Sequence, residues 1–330
     1  MSAKPDNDSL RQLIVFHTVN ISLGLVCSVL ATTLIFIFIT STRMLNRNRL
    51  LFTLSLADFC NCLAITLMGV DRVTLYEDLL DGGSASSKRA GECAAELWLF
   101  FRTIGDLWPP IVQTMIGFEC LLKACQGKNP INRSRQFQIF TVLFVIWASS
   151  LGYAVAYGRR NEKAKYFCGR KAAFGRAFSV FIYAHNVFGY IAGLVLNVTA
   201  YRIASIDSNS HRINPSVIRQ MRVCIMVSLL STVLVSIPNS LSLISAVHLS
   251  SISNAITKPA VYATCINSGI NIFVYFVLNS DFRRRCIFLL TREEFSSNEL
   301  YMDADEEEDK EWIEQQSNIN PTISHQKLIE

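Results

Sequence analysis

The division of this chain into long apolar blocks constrains its fold more than any other feature. Hydrophobic residues make up 51% of the 330 residues, and charged residues make up only 17%. The blocks are about 20 residues long, which is the length a helix needs to cross about 30 Å of hydrocarbon. The seven predicted spans are Leu13–Ile39, Leu50–Val70, Leu97–Ala124, Phe137–Tyr157, Phe178–Tyr201, Met221–Val247 and Ile256–Leu278. The sequence therefore predicts an all-α membrane protein, a bundle of seven transmembrane helices.

The third block is the least apolar, because it contains Arg102, Asp106 and the pair Pro109-Pro110. A charge at the bilayer centre costs about 2.5–3.5 kcal/mol on insertion scales, so the two charged side chains should face the bundle. They are four residues apart and can therefore pair on one helix face. The pair is either a structural salt bridge or part of a binding site.

The seventh block contains a polar seam. Asn267, Asn271 and Tyr275 recur every four residues, and Ser268 lies three residues before Asn271, so all four can share one helix face. Unpaired amides are costly in hydrocarbon, so this face needs a partner. The expected partner is Asp58, the carboxylate of the second apolar block. An isolated buried carboxylate must gain a partner or take up a proton.

Several motifs resemble those of the rhodopsin-like G-protein-coupled receptors. Leu56-Ala57-Asp58 resembles the second-helix motif, and Asn271 followed by Tyr275 and then Asp281-Phe282-Arg283 resembles the end of the seventh helix. Trp147, Tyr201 and Pro238 match signature residues of the fourth, fifth and sixth helices at the expected spacing. The divergence of other motifs resembles the nematode serpentine chemoreceptors.

The resemblance implies roles for these residues. In the implied receptor, Asp58, Asn267, Ser268 and Asn271 form a sodium or proton site, with a dry packing network as the alternative. Arg102 and Asp106 line the ligand pocket. The residues implied in G-protein coupling and switching are Glu119, Cys120, Tyr201, Pro238 and Tyr275. A disulfide joins Cys93 to Cys168, in the two outer segments that the family ties together.

Four departures from the family pattern affect these roles. The family's Asp-Arg-Tyr triplet reads Glu119-Cys120-Leu121, so the Arg that engages the G protein is missing. Pro109 stands where a Ser often contributes to the sodium site, Ile272 replaces a Pro, and Ser236 replaces an aromatic residue. A non-signalling decoy receptor is therefore an alternative. A membrane transporter is another, although no internal repeat or pair of broken helices is visible.

Charge predicts the orientation and the ends of the chain. Basic residues follow spans one, three, five and seven, which places the C-terminus in the cytosol and the N-terminus outside, although the basic loop 159–176 opposes this bias. We expect an extracellular tail over residues 1–12, with a glycosylation sequon at Asn7, and a receptor domain over residues 13–290 that ends in a short amphipathic eighth helix. Residues 291–330 contain 12 acidic and 3 basic residues and are expected to form a disordered cytosolic tail.

The expected partners are the lipid bilayer of the plasma membrane, a heterotrimeric G protein and an extracellular small molecule or peptide. The basic loop is either a solvated surface loop or a surface that attracts an anionic ligand by electrostatic steering. Apart from Na⁺ no cofactor is expected, since the five His are dispersed and have no ligand-like spacing to Cys. A heptahelical hydrolase is disfavoured for the same reason, and no nucleic-acid partner is expected.

Overall fold

The computed structural model describes residues 7–83, 88–126, 131–164, 168–208, 215–248 and 254–291. The long helices are α1 (Asn7–Ile39), α3 (Arg49–Leu80), α5 (Leu97–Gln126), α6 (Ile131–Gly158), α7 (Arg170–Ser208), α8 (Pro215–Ser231), α9 (Ile237–His248) and α10 (Asn254–Leu278). The short helices are α2 (Thr42–Arg47), α4 (Ala90–Ala94) and α11 (Ser280–Thr291). The described residues contain no strand, so the all-α prediction is confirmed.

Six helical segments are long and apolar enough to cross a membrane, and they correspond to predicted spans one, two, four, five, six and seven. The third predicted span, α5, forms a 30-residue helix but falls below this apolarity. Its charged residues and the prolines Pro109 and Pro110 account for the difference. At about 1.5 Å per residue it is nonetheless long enough to span a bilayer.

Helix α5 lies at the centre of the bundle. It packs most extensively against α7 and α3, while α1 packs against α3 and α10. Close approach depends on small residues, as is common between membrane helices. A Cβ added at Gly105 of α5 would lie 2.7 Å from the Cα of Asn61 in α3. The charged residues of α5 are therefore surrounded by other helices, which explains how so polar a helix fits the bundle.

The sixth predicted span is interrupted by a turn of π-helix. Residues Thr232–Ser236 form this turn between α8 and α9, immediately before Pro238. Proline lacks a backbone N–H and cannot complete the helical hydrogen-bond pattern. The Asn239 side-chain amide donates to the backbone oxygen of Val235 at 2.8 Å, which satisfies a carbonyl of this irregular turn. The π-helical turn and Pro238 thus interrupt the regular helix of this span.

The two ends of the bundle are closed differently. At one end a disulfide joins Cys93, in α4, to Cys168, just before α7. This is the pairing that the family resemblance implied. At the other end α11 turns back against the bundle, and the rings of Phe38, Tyr275 and Phe282 pack together at centroid distances of 5.8–6.0 Å. The sequence from residue 292 onward, including the acidic tail, lies outside the described residues.

Candidate functional site

Asp58 meets the polar seam of α10 in the middle of the bundle. Its carboxylate accepts a hydrogen bond from Ser268 Oγ at 2.9 Å and another from Asn271 Nδ2 at 2.7 Å. Asp58 is 2% exposed. Both donors are neutral, so these contacts solvate the carboxylate oxygens without balancing a charge.

Asn267 is placed differently from Ser268 and Asn271 of the seam. Its side chain makes no hydrogen bond to Asp58 and instead lines a cavity closer to the disulfide. Among the described residues, Asn267 Oδ1 and Asn271 Oδ1 are buried without a hydrogen-bond partner. Of these two, the Asn271 oxygen lies beside the Asp58 carboxylate, and an unpaired carbonyl oxygen in such a place is a suitable ligand for a hard cation such as Na⁺. Pro109 contributes no hydroxyl to such a set.

Asn61, which the sequence analysis did not single out, extends this contact network. It lies one turn after Asp58 in α3, and its Nδ2 lies 3.5 Å from Ser268 Oγ. Its Oδ1 accepts a hydrogen bond from Arg102 Nη1 at 3.2 Å. The spacing of three residues from Asp58 was the signal that could have revealed it.

Arg102 and Asp106 form the ion pair that their spacing suggested, with Arg102 Nε 3.2 Å from Asp106 Oδ1. The second carboxylate oxygen of Asp106 contacts Arg170 Nη1 at 2.6 Å. Arg170 also lies over the ring of Tyr183, 4.9 Å from its centroid. Sequence reasoning had assigned Arg170 only to the basic loop, because nothing local showed that the start of α7 turns into the bundle.

These side chains border a cavity of about 60 Å³ that opens between α5, α7, α9 and α10. Its polar lining comes from Asn61, Arg102, Asp106, Arg170, Tyr183, Asn186, Tyr190, Asn239, Ser242, Thr264 and Asn267. Its apolar lining includes Val235, Pro238, Ala260 and Val261. The cavity therefore has a charged wall on α5 and α7 and a largely neutral wall on α9 and α10.

A second polar cluster lies at the opposite end of the bundle. Glu119 pairs with Lys123 at 2.9 Å, and Lys123 Nζ lies 3.4 Å from Gln220 Oε1 in α8. The Nε2 of Gln220 in turn donates to Asn48 Oδ1 at 3.1 Å. Cys120 is buried in the apolar core beside this cluster. Lys123, Gln220 and Asn48 thus connect three helical regions near the position of the missing Arg.

The remaining predicted residues are dispersed. Tyr201 is half-buried against the core near α8, whereas Tyr275 is fully buried and its hydroxyl has no partner among the described residues. Trp147 is 61% exposed on the outside of α6. Asn7 is the exposed first residue of α1.

The positive charge of the basic loop 159–176 is partly neutralised by Glu162, the acidic residue within it. Arg159 contacts Glu162 at 2.6 Å, and hydrogen bonds from Arg159 lower the pKa of the Glu162 carboxyl. Lys165 lies outside the described residues. The loop therefore presents less free charge than its sequence suggests.

Comparison with known proteins adds one match. Residues 128–290, from α6 through most of α11, match the family model for the serpentine type 7TM GPCR chemoreceptor Srsx. No curated protein matches the chain. The matched region contains Trp147, Tyr201, Pro238 and the α10 seam, whereas Asp58 and the α5 charges lie before it. This region is thus similar to a family of seven-transmembrane G-protein-coupled chemoreceptors, and the similarity supports a receptor of the chemosensory type.

Proposed function

We propose that this receptor converts the binding of an extracellular ligand into activation of a cytosolic G protein. The observation that carries the proposal is the chain of polar contacts from Arg170 through Asp106, Arg102 and Asn61 to Ser268 and Asp58. It joins the cavity to the middle of the bundle. A ligand that changes the contacts of Arg102 would alter this network and shift the balance between two arrangements of the helices.

The Asp58 site is proposed to bind Na⁺ or a proton in one of these arrangements. The carboxylate, Ser268 Oγ and the unpaired Oδ1 of Asn271 would hold the cation. Loss of the cation would let α10 move, and Tyr275 would then gain a partner for its buried hydroxyl. Pro238, beside the π-helical turn, is the proposed pivot of the sixth span.

We propose that the cytosolic end couples to the G protein without the Arg of the family's Asp-Arg-Tyr triplet. Lys123 supplies a cation one turn after Cys120, pairs with Glu119 and contacts Gln220 of α8. We infer that this contact restrains α8 at rest and that its release opens the surface for the G protein, with Tyr201 following the movement. The alternative is a decoy receptor, which the missing Arg favours.

The arrangement in the membrane follows the same proposal. The end with the Cys93–Cys168 bond and Asn7 would be extracellular, and α11 would lie along the cytosolic surface of the plasma membrane, with residues 291–330 in the cytosol. In α11, Phe282 and Cys286 are four residues apart and both buried, whereas Arg283 is exposed. This supports an amphipathic eighth helix.

Removal of the Lys123–Gln220 contact tests coupling without a known ligand. We expect Gln220→Ala to raise basal signalling in cAMP or calcium reporter cells several-fold at equal surface expression, because α8 loses a restraint. Arg47→Gln is the matched control, since its ion pair with Asp281 lies at the same end but is 39% and 44% exposed. Basal signals equal to those of untransfected cells for both wild type and Gln220→Ala would favour the decoy.

A further inference from the structure

The cavity between α5, α7, α9 and α10 carries an unbalanced positive charge. Within the part of the chain that the structure describes, its charged lining residues are Arg102, Asp106 and Arg170, which sum to +1. Asp58 does not line the cavity, because Asn61 and Ser268 lie between it and Arg102. A net charge enclosed at membrane depth is costly unless a counter-charge accompanies it.

The guanidinium groups of Arg102 and Arg170 also have more N–H donors than their contacts use. Their contacts in the described structure are to Asp106, Asn61 and Tyr183, four in all. Two guanidinium groups offer about ten N–H donors. Each carboxylate oxygen of Asp106 accepts one of these contacts, and even its full capacity of about four hydrogen bonds would leave several N–H donors without a partner. The planar fork of Arg suits a second carboxylate, which it can bind through two parallel hydrogen bonds.

The rest of the cavity limits the size and character of the ligand. A volume of about 60 Å³ holds roughly five water molecules. The facing wall carries the neutral polar side chains of Asn239, Ser242, Thr264 and Asn267 and also the apolar side chains of Val235, Pro238, Ala260 and Val261. A short aliphatic chain would fit against this wall while its charged head faced the arginines.

We propose that the receptor recognises a short aliphatic carboxylate, whose head group binds between Arg102 and Arg170. Asp106 then serves to hold the two guanidinium groups together and is not an anchor for an amine. This inference rests on the proposed ligand-binding function and adds the chemical class of the ligand. The bound carboxylate would bring the charge of the cavity lining to zero.

Binding can be measured on the purified full chain in lipid nanodiscs, by thermal unfolding. We expect a saturating concentration of sodium butyrate to raise the Tm by at least about 2 °C relative to the same concentration of sodium chloride. Butyramide, which has nearly the same shape without the charge, should have no effect. An equal effect of chloride would identify a halide site, and an equal effect of butyramide would show that charge is not recognised; either result would overturn the proposal.

Variants separate the roles of the three charged residues. Arg170→Gln should weaken butyrate binding about ten-fold or more, since a charge-assisted contact is lost. Arg160→Gln, an exposed arginine outside the cavity, is the matched control. Asp106→Asn should bind butyrate at least as tightly as wild type, because the Asn oxygen can still accept from a guanidinium group while the charge of the lining rises from +1 to +2. A ten-fold loss in Asp106→Asn, if the variant unfolds as cooperatively as wild type, would contradict the assignment.

The outcome is separable from that of the proposed function. Butyrate binding without G-protein activation would leave this inference standing and contradict the coupling. Activation by a neutral ligand that persists in Arg170→Gln would support the coupling to a G protein and contradict the recognition of a carboxylate.

Discussion

At the scale of single residues, Asp58 is the side chain whose environment is hardest to explain by packing alone. It is buried, and it accepts hydrogen bonds from two neutral donors, Ser268 and Asn271. Neutral donors reduce the cost of burying a carboxylate but leave its charge unpaired. A bound Na⁺ or proton would balance that charge, and the unpaired Oδ1 of Asn271, whose Nδ2 contacts the carboxylate, could assist a cation.

Replacement of Asp58 by Asn should therefore make the stability of the protein independent of Na⁺ and of pH. We expect the thermal stability of wild type to depend on Na⁺ concentration, or on pH between about 5 and 8, and Asp58→Asn to abolish this dependence. Thermal unfolding in NaCl and in choline chloride at several pH values measures it. A wild-type Tm that is insensitive to both Na⁺ and pH would mean that the seam is a packing network.

At the scale of helices, the network depends on the close approach of α3 and α5. Gly105 faces Asn61, and a Cβ there would lie 2.7 Å from the Asn61 Cα. The obstructing atom is backbone, so the helices must separate and the hydrogen bond from Arg102 to Asn61 must lengthen.

Gly105→Ala should destabilise the receptor by about 1–3 kcal/mol, the usual cost of overpacking. It should also weaken ligand binding, because Gly105 lines the cavity. Gly158→Ala is the control, since a Cβ at that helix end meets nothing within 4 Å. Equal thermal stability of the two variants would show that the α3–α5 contact is looser than described.

The helical elements were the most predictable part of the molecule. Apolar block length located all seven long segments, and the periodicity of Asn267, Asn271 and Tyr275 identified the polar face of α10. The sequence did not predict that Asn61 and Arg170 belong to the polar network, because their contacts depend on which helices become neighbours. The contact of Lys123 with Gln220 joins α5 to α8 and could not be read from local spacing either. Asn267 was grouped with Asp58 by periodicity, yet tertiary packing turns it to the cavity.

At the scale of the whole molecule, the disulfide ties the start of α7 to the segment that precedes α5. It closes a loop with a sequence separation of 75, for which the chain-entropy model gives about 4 kcal/mol. Because Cys168 lies two residues before Arg170, the bond also restrains the arginine that lines the cavity.

Cys93→Ala and Cys168→Ala should each reduce surface expression or ligand binding, and the double variant should be no worse than either single one. Membrane insertion should persist, because it depends on apolar transfer. Flow cytometry of an epitope-tagged receptor and non-reducing peptide mapping measure these effects. Two free thiols in receptor purified from the cell surface, or additive losses in the double variant, would contradict the pairing.

The central claim is that ligand binding in the cavity reaches the G protein through the polar network around Asp58. Nucleotide exchange on purified heterotrimeric G proteins, driven by the receptor in nanodiscs with a ligand that stabilises it, tests this most directly. We predict a several-fold faster exchange with wild type, and a loss of this stimulation in Asp58→Asn while the ligand still raises the Tm. The claim would be contradicted if the ligand stabilised wild type but accelerated exchange on none of the main G-protein classes.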